Sequence, residues 1–340
     1  MQGPLPAARS LIDYLATPVR LQQARQSPAR DPMKTPTATT APPKTLAFVH
    51  RNDTRFAVGD FSPVLSVFSY HELGTTPSPF LLLDHIGPGR LLPGRPPGGV
   101  HEHPHRGFET VTIVYAGELE HRDSTGGGGL VGPGDVQWMT AAHGIIHREL
   151  FSPAFAARGG AFEMVQLWVN LPAADKMRPA RYQSLARTDI PVCELPARGG
   201  EVRVIAGEWN GVRGPAATHT RMNVLDVRLA AGAQAEFATA DGDTALVYLL
   251  AGQLALAGQD VLEEQALAVM SARGAGLAVT AHAGSRFLVL SGAPLGEPLN
   301  GHGPFVMNTY DEILQAYEDV KAGRLAITPV SSSGSPHGSH

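Results

Sequence analysis

His101-Glu-His103-Pro-His105-Arg-Gly-Phe-Glu109-Thr110, followed further on by His143-Gly-Ile-Ile-His147-Arg-Glu149, is the part of the chain that decides its fold. His103 and His105 are two residues apart, and so are His147 and Glu149. In an extended chain that spacing puts both side chains of a pair on one face of a strand. Two such strands inside one β-barrel bring three imidazoles and a carboxylate to one point, a donor set that suits Fe, Mn, Ni, Cu or Zn. Six of the 14 histidines fall between His101 and His147. His101 shares the face of His103 and is a possible further ligand. Glu109 competes with Glu149 for the carboxylate place, as a ligand or as a neighbour of the ligands.

Outward from this segment the chain reads as strand after strand. Val64–Tyr70, Phe80–Ile86, Thr110–Tyr115, Val136–Thr140, Phe162–Asn170, Val202–Ala206, Met222–Leu229, Thr244–Leu250 and Phe287–Leu290 are apolar runs punctuated by Gly, Pro or Asp. The 38 Gly and 28 Pro of the 340 residues argue against a helical bundle. Only Tyr310 to Leu325 has helical periodicity, with Ile313, Leu314, Tyr317 and Val320 on one face and Asn308 or Thr309 as N-cap. Two segments repeat: an apolar strand runs into Ala116-Gly117-Glu-Leu in the first half and into Ala251-Gly252-Gln-Leu in the second. Two barrels of similar design follow from this. Ala238 and Ala240 stand 135 residues beyond His103 and His105, so the second barrel lacks the ligands, and His282 matches His147 by coincidence.

Composition excludes several classes. A net charge of −4 gives no basic excess for phosphate backbones, so no direct nucleic-acid partner is expected. One cysteine, Cys193, excludes an internal disulfide framework. No stretch approaches the 18 or so apolar residues of a membrane helix, and the N-terminus lacks the apolar core of a secretory signal. A cytoplasmic protein is expected. Residues 1–45, rich in Pro, Ala, Arg, Gln and Thr, read as a disordered extension, with Met33 an alternative start or residues 1–32 a transit-like leader. The tail from 327 to 340 reads as linker, which makes His337 and His340 poor ligands. Between them, 46–172 reads as a metal-binding barrel, 173–200 as a linker, and 201–326 as a metal-free barrel with the helix, closing over the pocket.

Other residues read as scaffold. His121 opens a Gly-rich hairpin loop without the GK[ST] of a phosphate cradle, and His143 lies in the turn before Gly144, facing solvent or the pocket lip. Trp138 and Met139 alternate on a strand, one for the core and one for the pocket wall. Cys193 has no adjacent base.

His103-x-His105-x3-Glu109 has the spacing of the first cupin motif, and Ala142-His143-Gly144-Ile-Ile-His147 fits the second with Ala for Pro; the usual Gly before the paired histidines is replaced by Pro97. Five segments in order then resemble the pirin family: His103-Pro-His-Arg-Gly-Phe-Glu-Thr110, Gly134-Asp-Val-Gln-Trp-Met-Thr140, Gly144-Ile-Ile-His-Arg-Glu149, Leu167-Trp-Val-Asn-Leu-Pro-Ala-Ala-Asp-Lys-Met177 and Gly303-Pro-Phe-Val-Met-Asn-Thr309. The resemblance covers about residues 46–325 and leaves the N-terminal extension outside. It implies an all-β bicupin whose first barrel holds one divalent metal ion, usually Fe(II), with Mn, Ni, Cu or Zn also compatible. The implied ligands are His103, His105, His147 and Glu149, with Glu109 a neighbour. It further implies a quercetin 2,3-dioxygenase-type oxidoreductase acting on a flavonol and O2, in which Glu149 also takes the substrate's proton. The alternative is a non-enzymatic, redox-responsive protein whose metal state controls a protein partner, with the His85–Arg95 segment as a rim loop for that contact. A sugar-isomerase-like cupin lacks identifiable sugar-binding residues.

Overall fold

A computed structural model of the chain describes residues 41–256 and 260–326. The expectations for residues 1–40 and 327–340 lie outside the described residues. Within them the chain forms two β-barrels, each a seven-stranded antiparallel sheet facing a four-stranded one. The large sheet of the first barrel runs Arg181–Leu185, Val136–Thr140, Phe108–Ala116, Gly160–Asn170, Phe80–Leu91, Phe61–Ser69, Arg55–Val58. Its small sheet runs Gly99–His105, Ile145–Phe151, Leu119–Asp123, Gly128–Val131. The second barrel repeats the plan. Its large sheet runs Leu46–His50, Leu267–Met270, Thr244–Ala251, Ser285–Gly292, Met222–Leu229, Gly200–Ala206, Val192–Glu194, and its small sheet Gln234–Phe237, Leu277–Ala281, Gln253–Leu256, Asp260–Glu263.

The period-2 pattern explains why the strands are apolar on both faces. Val111, Ile113, Val165 and Leu167 of the first large sheet meet Leu246, Tyr248, Leu288 and Leu290 of the second in one continuous core between the barrels. The intervening residues point inward: Val114 and Met164 pack inside the first barrel, and Val247, Leu249 and Val289 inside the second. Each fully buried aliphatic or aromatic side chain contributes about 1.5–3 kcal/mol of transfer free energy. The two Ala-Gly pairs end equivalent strands, and Gly117 (φ 87°) and Gly252 (φ 98°) both adopt the left-handed backbone that the turn needs.

The barrels do not follow the sequence boundaries drawn at residues 46 and 173–200. Leu46–His50 pairs with Leu267–Met270 of the second barrel, while Arg181–Leu185 extends the first sheet beside Val136–Thr140. Each strand covers an exposed sheet edge. His85 to Leu91 is not a rim loop either: it completes the Phe80–Leu91 strand against Gly160–Phe162 and beyond. Only the residues after Leu91 leave the sheet.

The terminal helix, Tyr310–Lys321, begins with a capping box in which Thr309 and Glu312 bond each other's backbone N–H. It packs through Ile313 and Ala316 on Phe305, Met307 and Leu325. This segment leans on the first barrel, with Asp319 bonding Arg106 at 2.9 Å. The Leu325 carbonyl lies where a Cβ on Gly144 would sit, and Val306 carbonyl where one on Gly107 would sit. No helix among the described residues is long and apolar enough to cross a membrane.

Candidate metal centre

The small sheet of the first barrel carries the site. His147 stands directly opposite His103, and Ile145 opposite His105. On the other side His147 faces Asp123 and Glu149 faces His121. Burial along Ile145–Phe151 alternates so that residues 145, 147, 149 and 151 point into the barrel. His103, His105 and His147 each bring a ring nitrogen within 4.8 Å of the others. His121, His147 and Glu149 form a second such group, so His147 belongs to both.

Hydrogen bonds fix the tautomers. The Nδ1 of His103 lies 2.7 Å from the His101 carbonyl, and that of His105 3.3 Å from the Pro304 carbonyl. Carbonyls only accept, so each Nδ1 carries the hydrogen and each Nε2 keeps a lone pair. His147 is set through a chain. Asp123 Oδ2 accepts from His121 Nε2 at 3.3 Å, leaving His121 Nδ1 to accept from His147 Nδ1 at 3.5 Å, the limit of a hydrogen bond. His147 Nε2 is then bare, buried and without a partner among the described residues. Burial, the largest cause in each, lowers the pKa of all three imidazoles, most strongly in His105 and His147, where neighbouring rings add to it. Neutral imidazoles with free Nε2 lone pairs are the form that ligates a metal. Against its burial, hydrogen bonds from His121 and Thr125 hold Asp123 down at about 2.

Glu149 is tethered to the facing large sheet. Its Oε1 accepts from Thr112 Oγ1 at 3.1 Å and from Gln137 Nε2, and its Oε2 accepts from Gln166 Nε2 at 3.4 Å. Beside it opens a cavity lined by His103, His105, Thr112 and Glu149 at one side and by Phe61, Leu82, Ile86, Met164 and Trp168 elsewhere. Trp168 and Phe108 pack edge-on against His105, with ring centroids 5.3 and 5.0 Å away.

The other candidates fall elsewhere. The His101 side chain is exposed, and only its carbonyl serves the site. Glu109 shares strand parity with Val111 and Ile113, facing away from Thr110 and Thr112; it is fully buried, accepts from Thr140 Oγ1 at 2.7 Å and joins neither cluster. His121, expected in a loop, is a fully buried strand residue stacked on Tyr182. The period-2 relation of His121 to Asp123 was its only local signal. His143 is buried rather than solvent-facing, since the Arg106 guanidinium bonds its carbonyl and so closes the C-terminal segment over it. Trp138 fills the core between the barrels, and Met139 packs beside Ala141 and Ile145. Cys193 rests half-buried on the second barrel's core. In that barrel the topologically equivalent strands point Ala235, Phe237, Leu277, Val279 and Ala281 inward, so its interior is apolar; His282 is exposed just beyond.

Burial pushes the Glu109 carboxyl up to about 7, with the hydrogen bond from Thr140 pulling the other way. A carboxyl raised on folding stabilises the fold below its unfolded pKa and loses that contribution as pH rises through about 7. Glu109→Gln imitates the neutral form. Its stability relative to the parent is therefore expected to improve by about 3 kcal/mol between pH 4 and pH 8. Urea unfolding of both proteins across this range checks it, and a pH-independent difference would overturn it.

A family model described as Pirin matches residues 62–169, and one described as Pirin C-terminal cupin domain matches residues 224–326. A Pseudomonas aeruginosa protein provisionally named a quercetin 2,3-dioxygenase is 52% identical over 281 residues, 83% of this chain and 98% of that one. Pirin of Homo sapiens is 38% identical over 249 residues, 72% of this chain and 81% of that one. A crystal structure titled quercetin 2,3-dioxygenase from Acinetobacter baumannii superposes with a TM-score of 0.81 at 46% identity, covering 83% of this chain and 98% of that one.

Proposed function

From the premise that the chain belongs to the pirin family, we propose that it is a metal-dependent flavonol 2,3-dioxygenase. The observation that carries the proposal is the convergence of three imidazoles, bare at Nε2, two of which, His103 and His105, line a cavity walled by aromatic and aliphatic side chains. His103, His105 and His147 would hold one divalent ion through Nε2, with Glu149 as the fourth ligand and Fe(II) as the native metal. When bound, such an ion supplies Lewis acidity and, if redox-active, access to O2 chemistry.

The chain's own residues do the rest. Trp168, Phe61 and Leu82 exclude water and offer flat apolar walls to an aromatic ring. Thr112 and Gln137 pin Glu149 Oε1, so Oε2 is the oxygen with a single contact. Oε2 would take the proton of the substrate's enolic hydroxyl; the support is that Glu149 lines the same cavity as His103 and His105 and groups with His147. The flavonolate left behind is the electron-rich form that reacts with O2, opening the heterocycle and releasing CO. Glu149 thereby serves as ligand and as base.

The test is anaerobic reconstitution with Fe(II), admission of O2, and measurement of flavonol absorbance. Loss of the absorbance with release of CO is expected. Stoichiometric iron with no flavonol consumed would overturn the proposal.

A further inference from the structure

Five strands of the first large sheet present a polar residue at the same level of the barrel interior. Ser66 stands opposite Asp84, Asp84 opposite Gln166, Gln166 opposite Thr112, and Thr112 opposite Gln137. A row of five polar side chains across a barrel floor is costly unless each has a partner. Gln166, Thr112 and Gln137 all bond Glu149. Asp84 does not. It lines the cavity beside Leu82, Ile86 and Trp168, and its Oδ1 is shielded from solvent without a partner among the described residues. Burial pushes its carboxyl up to about 7, with Ser66 pulling the other way. Ser66 hydrogen-bonds the carboxyl from the neighbouring strand, but Oδ1 is left over, an oxygen that can accept or donate a further hydrogen bond with no partner for it among the described residues.

Geometry suggests the partner. Asp84 and Thr112 lie two strands apart in the sheet, which is about 10 Å at the usual strand spacing. Thr112 marks the Glu149 end of the cavity, so Asp84 marks the far end of a slot in which Gln166, tied to Glu149, stands between them and Leu82, Ile86, Met164 and Trp168 supply apolar and aromatic wall. A fused aromatic bearing hydroxyl groups at both ends matches this pattern. The enclosed space is about 80 Å³, room for several waters. A ring entering it moves Met164, the wall's most adaptable side chain.

Building on the flavonol proposal, we infer that Asp84 is the distal anchor of the substrate, hydrogen-bonding a hydroxyl group at the end of the molecule remote from His103, His105 and Glu149. It sets specificity for polyhydroxylated over unsubstituted aromatic rings. It takes no part in the proton transfer at Glu149.

The experiment is equilibrium binding to the Fe(II)-loaded protein without O2, followed by quenching of tryptophan fluorescence. The two probes are quercetin and 3-hydroxyflavone, which lacks the distal hydroxyl groups. The parent is expected to bind quercetin about tenfold more tightly, the value of one hydrogen bond to a charged or half-charged partner. Asp84→Leu brings the two affinities within about twofold by weakening quercetin alone, and Asp84→Asn, which still hydrogen-bonds, falls between. Circular dichroism and iron content establish that the variants are folded and loaded. If Asp84→Leu still prefers quercetin tenfold, the anchor is overturned while the flavonol proposal stands. If it weakens both probes equally, Asp84 supports the barrel rather than the ligand, and the anchor is likewise overturned. If the parent binds neither probe, the flavonol proposal falls and takes the anchor with it.

Discussion

His147→Ala is expected to lower Fe(II) affinity by at least about a hundredfold and to abolish flavonol consumption, the largest effect of any single substitution in the site. The reason lies in the two clusters. His103 and His105 belong to one group and His121 and Glu149 to the other, but His147 is common to both. His121 has both ring nitrogens engaged, by Asp123 and by His147, and supplies no replacement donor, so removing His147 leaves neither group with three members. Loss even of an outer hydrogen bond to a ligand costs about 10–100-fold in metal affinity, so loss of the ligand itself should exceed that. Neighbouring strands hold the backbone at His147 through its pairing with His103 and Asp123, so the strand should survive the change. The check is metal stoichiometry after dialysis and competition against a chelator of known affinity, with circular dichroism as the control for folding. A variant that keeps one ion per chain at unchanged affinity would show that the ion lies elsewhere and would remove the basis of the proposed chemistry.

Much of this was legible in the residues because a strand's side-chain period is two. The spacing of His103 to His105 and of His147 to Glu149 predicts shared faces, and the structure puts residues 145, 147, 149 and 151 inside the barrel. The Ala-Gly pairs predict the duplication for a similar reason: a turn needing a left-handed residue selects glycine in both copies. Parity could also have separated Glu109 from the site, since Glu109, Val111 and Ile113 share one face while Thr112 takes the other.

What escaped the sequence depends on long-range register. Thr112, Gln137 and Gln166 reach Glu149 from three strands of the facing sheet, and nothing local distinguishes them from solvent-facing polar residues. The Pro304 carbonyl that orients His105 is a backbone atom from the other end of the chain. His121 was masked by its glycine run: Gly128 and Gly129 belong to a strand that covers it rather than to a free loop. The crossing of Leu46–His50 to the second barrel follows from which sheet edge is open, which composition does not encode.

Lys176→Met is expected to destabilise the fold by about 4 kcal/mol and to weaken metal binding as well, though Lys176 lies outside both clusters. Lys176 is buried, and its Nζ donates to three acceptors: the Gly107 carbonyl at 2.6 Å, Asn170 Oδ1 at 2.6 Å and the Val306 carbonyl at 2.9 Å. Methionine fills the same space without a donor and strands all three. Each buried acceptor left unsatisfied costs about 1–3 kcal/mol, less than additively within one network. At about 2–4 °C per kcal/mol for chains of roughly this size, the melting temperature should fall by about 10 °C. The functional consequence comes from where the acceptors lie. Val306 and Gly107 join the C-terminal segment to the turn after His105, and the same segment supplies the Pro304 carbonyl that holds His105 Nδ1. Freeing it lets the His105 ring rotate, so metal affinity should drop even at temperatures where the variant is fully folded. Calorimetric melting and chelator competition at 15 °C measure the two effects separately. A melting temperature within 2 °C of the parent would show that water replaces the ammonium among these acceptors. A large destabilisation with unchanged metal affinity would show instead that His105 is oriented by Phe108 and Trp168, the rings packed against it, and not by the carbonyl.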